Sequence, residues 1–303
     1  MLNHIKLKRI LLIKSLLIFF ILTINTGCAR YLAQDLIKPN KNVKSNKTQI
    51  NDIEMSYYTL GNKNKYPLVF LHGALVFTDY YNDLIEALSK EYYIIGIDIR
   101  GHGRSTIGTN SFSFTQISDD IIELTNQLGI EKFNLVGHSL GGIILLYLSK
   151  DHSERINKGV SIASLYHYDG IDFNNNKFKF FTRDGFRREK GLYSNFILKV
   201  IDKSYDRIGE LDKYNQTKAI LSESESIIYP NLTTLDLNKI ETPILVFVAE
   251  KDKLIKPSHT IEMSRELKNS EYKIIKNANH DRIVIGKKYI ELISTNTLEF
   301  FKL

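Results

Sequence analysis

From residue 53 onward, short runs of β-branched and aromatic residues alternate with longer amphipathic stretches, a rhythm that predicts a mainly parallel sheet covered on both faces. The predicted strands are Ile53 to Leu60, Leu68 to Leu71, Tyr93 to Asp98, Phe133 to Val136, Gly159 to Ile162, Ile244 to Ala249 and Tyr272 to Ile275. Several are continuous apolar runs, as parallel strands buried on both sides must be. Helices are predicted over Tyr80 to Ser89, Thr115 to Leu128, Gly142 to Lys150 and His259 to Leu267. In the second of these, Ile121, Ile122, Leu124 and Leu128 make one buried face. The rhythm fails between about Leu165 and Leu237, where aromatics (Tyr166, Tyr168, Phe173, Phe178, Phe180, Phe181, Phe186, Tyr193, Phe196) and bases cluster without a strand period. That segment reads as an insertion.

The N-terminus follows a different pattern. A basic segment precedes an apolar run from Leu16 to Ile24, which is too short to span a bilayer comfortably, and Thr26-Gly27-Cys28 comes next. Residues 1–27 therefore read as a signal peptide. Cys28 is the only cysteine, so a disulfide within one chain is excluded. A sole cysteine preceded by Gly27 and an apolar leader resembles the lipobox of bacterial lipoproteins, although Asn25 stands where that motif usually has an aliphatic residue. The resemblance implies a lipidated Cys28 and an exported, membrane-anchored protein, periplasmic or at the cell surface. Two or three acyl chains, at about 0.8 kcal/mol per buried CH₂, make such an anchor firm. Residues 28–47, rich in Asn, Lys and Ser, then form a flexible basic tether. An uncleaved signal anchor and an ordinary secretory signal are the alternatives.

Charge changes the picture only by its location. The net charge of +7 suggests a nucleic-acid partner until it is mapped along the chain. Lys6, Lys8, Arg9, Lys14, Arg30, Lys38, Lys41, Lys44 and Lys47 all lie in the first 47 residues, against Asp35 as the one acid there. The remainder is near neutral, and no nucleic-acid role follows. With 303 residues, 43% hydrophobic and 25% charged, the chain is long enough for one principal globular domain, residues 48–303.

The sharpest chemical signal is Gly137-His138-Ser139-Leu140-Gly141, set between an apolar strand and a helical run. A tight turn there pushes the Ser139 hydroxyl out at the strand's C-terminal end, and Gly137 and Gly141 are needed where helix and strand approach too closely for a Cβ. Ser139 is the candidate nucleophile. Its place at a helix N-terminus aims unpaired N–H groups at an oxyanion forming beside it, and the Leu140 N–H is the first donor. A second is expected from the loop after Leu68 to Leu71, where His72-Gly73-Ala74 offers the Ala74 N–H. Here His72 is expected to be structural.

A serine needs a base to take its proton, and the base needs an acid to fix its tautomer. Catalytic groups gather at the carboxyl ends of parallel strands, so both should follow late strands. Of eight histidines, His280 follows the run Tyr272 to Ile275, and Asp252 follows Ile244 to Ala249. His138 and His102 sit in motif loops, but a neighbour of the nucleophile points away from it. Asp281 adjoins His280, and consecutive side chains rarely face each other. Asp169, near an earlier strand end, is the other rival for the acid.

The order Ser139, Asp252, His280 and the surrounding motifs resemble the α/β-hydrolase superfamily over about residues 50 to 303. Asp98-Ile99-Arg100-Gly101-His102-Gly103-Arg104-Ser105 is similar to a D-x-R-G-x-G-x-S segment of its capped members, where those residues are structural. The resemblance implies a mainly parallel eight-stranded α/β-hydrolase sheet flanked by helices, with a helical cap insertion at about 165–237. The cap aromatics either line an apolar pocket or form the cap's own core. It also implies a serine hydrolase of the carboxylesterase type, acting on a small, apolar acyl substrate through an acyl-enzyme, with no metal or organic cofactor. The serine argues against the epoxide-hydrolase and dehalogenase branches, which use aspartate there. Carbon–carbon bond hydrolases, haloperoxidases, peptidases and acyltransferases share the arrangement and stay open, as does a non-catalytic surface lipoprotein.

Overall fold

The computed structural model describes residues 44–110, 112–172, 192–223 and 229–302. The expected signal peptide, Cys28 and most of the expected tether lie outside them, as do Phe173, Phe178, Phe180, Phe181 and Phe186. Among the described residues, no helix is long and apolar enough to cross a membrane.

Eight strands form one sheet: β1 (Lys44–Ile50), β2 (Ile53–Leu60), β3 (Pro67–Leu71), β4 (Tyr93–Ile97), β5 (Phe133–His138), β6 (Ile156–Ile162), β7 (Ile244–Ala249) and β8 (Ser270–Ile275). Their spatial order is β1-β2-β4-β3-β5-β6-β7-β8, and β3 to β8 are parallel with β4 among them, while β2 runs antiparallel to both its neighbours. Strand β1 corrects the expected tether boundary at 47. It begins at Lys44, so the last four tether residues belong to the sheet edge. Its sequence, Lys-Ser-Asn-Lys-Thr-Gln-Ile, carries one apolar residue, because an edge strand needs only half its ladder and little of its surface covered.

Alternation along β7 and β3 explains why these two strands are apolar throughout. On β7, Ile244, Val246 and Val248 enter one core while Leu245, Phe247 and Ala249 enter the other. Strand β3 divides likewise, Val69 and Leu71 against Leu68 and Phe70. Two-sided burial leaves no position for a polar side chain on either of these two strands. Helices α1 (Asn82–Ser89) and α7 (Lys287–Lys302) close the second core through Leu84, Ile85, Leu88, Ile290, Ile293 and Phe301. Helices α2 (Phe114–Gln127), α3 (Leu140–Asp151) and α6 (Pro257–Glu266) close the first. Helix α7 answers no predicted element. Its buried stripe includes Ser294 and Thr297, which break the apolar period.

The sheet order positions the site. Strand β4 lies on one side of β3 and β5 on the other, so the helices that follow β3 and β5 go to opposite faces. The carboxyl ends of β3 and β5 are therefore the topological switch point, where open α/β sheets take ligands. Between β6 and β7 the chain leaves the sheet and builds α4 (Leu192–Arg207) and α5 (Leu211–Glu223). Tyr205 and Tyr214 from these helices stack at 4.1 Å between ring centres and are wholly buried. They make core rather than pocket wall.

Candidate active site

Strand β5 ends at His138 and α3 starts at Leu140, which leaves Ser139 alone to turn the chain. It does so at φ +50° and ψ −112°, a conformation that strains any L-residue by about 1–3 kcal/mol. The turn is held from both sides. The Ser139 N–H donates to the Ile162 carbonyl at 2.9 Å, and the Ser139 carbonyl accepts from the Gly142 and Ile143 amides and from Ser164 Oγ. A Cβ on Gly137 would overlap the Gly141 backbone, and one on Gly141 would overlap the Leu71 carbonyl. Glycine at both positions follows from the close approach of α3 to β5 and β3.

Strands β7 and β8 deliver the next two side chains. His280 Nε2 lies 3.0 Å from Ser139 Oγ, and His280 Nδ1 lies 2.8 Å from Asp252 Oδ2. The other carboxylate oxygen of Asp252 accepts the Leu254 and Ile255 amides at 2.8 and 3.0 Å. With Nδ1–H donating to the carboxylate, Nε2 is left as the acceptor for the serine hydroxyl. The two loops are also joined directly, by the Lys251 N–H donating to the Ala278 carbonyl at 2.8 Å.

Electrostatics reinforce this arrangement. Burial pushes the Asp252 carboxyl up, but the charge and hydrogen bond of His280 and the two amides outweigh it and hold the group below its ordinary value. Burial pushes the His280 imidazole down, while the Asp252 carboxylate and then Asp281 bring it to a net position above the ordinary histidine value. Each group thus stabilises the charged form of the other.

The loop His72-Gly73-Ala74 leaves β3 and packs on Ser139: a Cβ on Gly73 would stand 3.4 Å from Ser139 Cβ. The His72 carbonyl accepts the Gly141 N–H at 3.1 Å, joining this loop to the start of α3. Neither the Ala74 amide nor the Leu140 amide is taken by an acceptor among the described residues. His72 itself braces two loops, donating from Nδ1 to the Gly73 carbonyl and accepting the Ile99 N–H on Nε2. Burial pushes it down to about 4.

The other candidates fall elsewhere. His138 Nδ1 lies 2.9 Å from Tyr81 Oη and its Nε2 lies 2.9 Å from the His280 carbonyl, so it does not engage Ser139. His102 donates to the Arg100 carbonyl. Asp169 pairs with His167 at 3.2 Å. The Asp98-to-Ser105 segment is a set of struts. Asp98 accepts from the Thr78 and Arg104 amides and the Tyr58 hydroxyl, and Arg100 is wholly buried between Asp120 and Asp52. The cap docks on the same segment through Tyr205 Oη, which accepts the Gly103 N–H, and Thr217, which donates to the Gly101 carbonyl. Among the described residues, no group of three or more His, Cys, Asp or Glu side chains is arranged to hold a metal ion. Tyr81 had no mark in the sequence. It lies in a short 3₁₀ turn, Thr78–Tyr81, whose aromatic pair reads as ordinary packing.

Comparison with known proteins agrees with this fold. Residues 66–190 match the family model described as alpha/beta hydrolase fold. The chain is 30% identical over 116 residues to a soluble epoxide hydrolase of Corynebacterium sp., a match covering 38% of this chain and 40% of that protein. It is 25% identical over 242 residues to a non-heme chloroperoxidase of Streptomyces lividans, covering 70% of this chain and 83% of that one. The chain spans less than half the length of the first curated relatives it matches. Among solved structures, a serine hydrolase from Cycloclasticus zankles superposes with a TM-score of 0.72 over 86% of this chain and 99% of its own, at 17% identity. The sheet order and these likenesses define an α/β-hydrolase fold.

Proposed function

We propose that this chain is a serine hydrolase of the α/β-hydrolase superfamily that cleaves carboxylic esters or related acyl bonds through an acyl-enzyme. One observation carries the reading: a strained, helix-capping Ser139 within 3.0 Å of His280 Nε2, whose Nδ1 is held by the buried Asp252. A stabilising core has no use for a serine at positive φ in hydrogen-bond reach of a carboxylate-held imidazole.

In the proposed reaction, His280 takes the Ser139 proton as Oγ bonds to the acyl carbon. The Leu140 and Ala74 amides hold the oxyanion, and Asp252 stabilises the imidazolium. His280 then gives its proton to the leaving oxygen as the acyl bond breaks. Water, deprotonated by His280, attacks the acyl-enzyme, and the carboxylic acid leaves as Ser139 regains its proton. Serine at the elbow separates this reading from the epoxide hydrolase likeness, since that branch resembles this fold with an aspartate there.

The test is intact-mass analysis after treatment with a fluorophosphonate. Wild type gains one adduct and Ser139→Ala gains none, and wild type hydrolyses 4-nitrophenyl butyrate. A wild-type protein that takes no adduct overturns the reading in favour of a non-catalytic binder. The proposal extends to the N-terminus, where a lipidated Cys28 would hold the enzyme on a membrane as a lipoprotein. Metabolic labelling with a lipid precursor, abolished by Cys28→Ser, is the expected result.

A further inference from the structure

A buried chain of hydrogen bonds runs between the loop of the candidate oxyanion donor and the loop of the candidate base without touching any reacting atom. The Gly73 N–H donates to Tyr81 Oη at 2.9 Å, Tyr81 Oη meets His138 Nδ1 at 2.9 Å, and His138 Nε2 meets the His280 carbonyl at 2.9 Å. Its proton arrangement is fixed. The His280 carbonyl can only accept, so His138 Nε2 carries the hydrogen and donates it. In a neutral imidazole Nδ1 is then an acceptor, and it takes the Tyr81 hydroxyl proton while that oxygen receives the Gly73 N–H. Every donor and acceptor in the chain is used once.

The environment keeps this arrangement. Tyr81 and His138 are 2% and 3% exposed, and the Tyr81 ring packs on Phe70 at 5.1 Å. Burial and then the charge of His280 push His138 down to about 3, which removes the doubly protonated form that would put a hydrogen on Nδ1 and break the link to Tyr81. The junction is also close-packed. A Cβ on Gly73 would stand 3.1 Å from His138 Nδ1, 3.2 Å from Tyr81 Oη and 3.4 Å from Ser139 Cβ, so the chain passes directly behind the nucleophile.

We propose that Tyr81 and His138 are positioning residues that tie the backbone of His280 to the Gly73-Ala74 loop, setting the distance between the base and the oxyanion donor. Asp252 orients the His280 ring, and this chain locates the His280 main chain. The two tasks differ, since a ring can be correctly turned yet an ångström out of reach. The proposal rests on the reading of Ser139 and His280 as nucleophile and base. Misplacing a catalytic group by about 1 Å lowers rates by about 10²-fold.

The test uses the full chain, with kcat and KM on 4-nitrophenyl butyrate expressed per active site titrated by fluorophosphonate, so that any unfolded fraction drops out. Tyr81→Phe removes one oxygen and keeps the ring. It is expected to lower kcat by about 10- to 100-fold with KM within about twofold, and to slow fluorophosphonate labelling by the same factor. His138→Leu is expected to do likewise, while His138→Gln, which restores a donor to the His280 carbonyl, recovers most of the rate. Because the bonds act in series, Tyr81→Phe combined with His138→Leu should be no slower than the slower single variant. A kcat for both single variants within about twofold of wild type, or losses that multiply in the double variant, overturns the proposal. If Tyr81→Phe does not fold, His138→Leu against His138→Gln decides alone. Wild type that labels at Ser139 with unaffected variants sinks the positioning role only, whereas wild type that fails to label sinks both readings.

Discussion

A single carboxylate sets both the tautomer and the basicity of His280. Replacing Asp252 with Asn presents an amide where the imidazole N–H needs an acceptor, so the ring loses its fixed tautomer, and kcat/KM is expected to fall by about 10³- to 10⁴-fold. The sign of the accompanying pH effect follows from the cause of the shift. Because Asp252 raises His280 and burial lowers it, the variant's base titrates lower, and the acid limb of its residual kcat/KM moves to lower pH than in wild type. A pH–rate profile that keeps the wild-type limb would contradict this assignment. Ser139, Asp252 and His280 were legible in the sequence because each follows a strand that is itself legible, and parallel strands bring their carboxyl ends to one rim. Tyr81 was not legible. Its partner atoms are a main-chain amide and a ring nitrogen 57 residues away, and no local pattern encodes such a meeting.

At the scale of elements, the close approach of α3 to β3 makes a sharp prediction. Gly141→Ala forces a Cβ into the Leu71 main-chain carbonyl, where no side chain can yield, and should destabilise the fold by about 3 kcal/mol or more. Gly129, at φ +68° just past α2 with nothing near its absent Cβ, is the matched control. Gly129→Ala should lower stability by only about 1–2 kcal/mol, the strain of a left-handed L-residue. Urea unfolding of the two variants measures the difference, and equal losses would mean that α3 has room to shift. The elements that carry the core were readable for the same reason that they are rigid. Strands β2 and β7 have the predicted bounds, β7 because burial on both faces makes it one continuous apolar run between polar flanks. Strand β1 and helix α7 escaped that reading, the one because an edge strand tolerates Lys, Asn and Gln, the other because buried Ser294 and Thr297 interrupt its stripe.

For the molecule as a whole, three buried neutral histidines make stability depend on pH in a defined direction. Burial brings His72 down to about 4 and His102 and His138 each to about 3, whereas in the unfolded chain each titrates near about 6.5. Between those values the unfolded state binds protons that the folded state refuses. The contribution of these three groups is therefore fully present above about pH 6.5 and is lost as the pH falls, toward about 4 for His72 and about 3 for His102 and His138. The midpoint of urea unfolding should drop through that window, and His72→Gln, which keeps a donor and an acceptor but does not titrate, should flatten the slope. An unchanged slope would mean that the ring is already charged in the native protein.

The sheet that unites Ser139 with His280 also separates them by 141 positions of polypeptide, with β8 adding to the sheet beside β7. A ribosome therefore releases Ser139 long before it releases His280. Until residue 280 has cleared the exit tunnel, the growing polypeptide carries the Ser139 hydroxyl without its imidazole partner. Under the proposed reading, translation that aborts anywhere upstream of that point yields fragments that lack the partner of Ser139 and are expected to be inert.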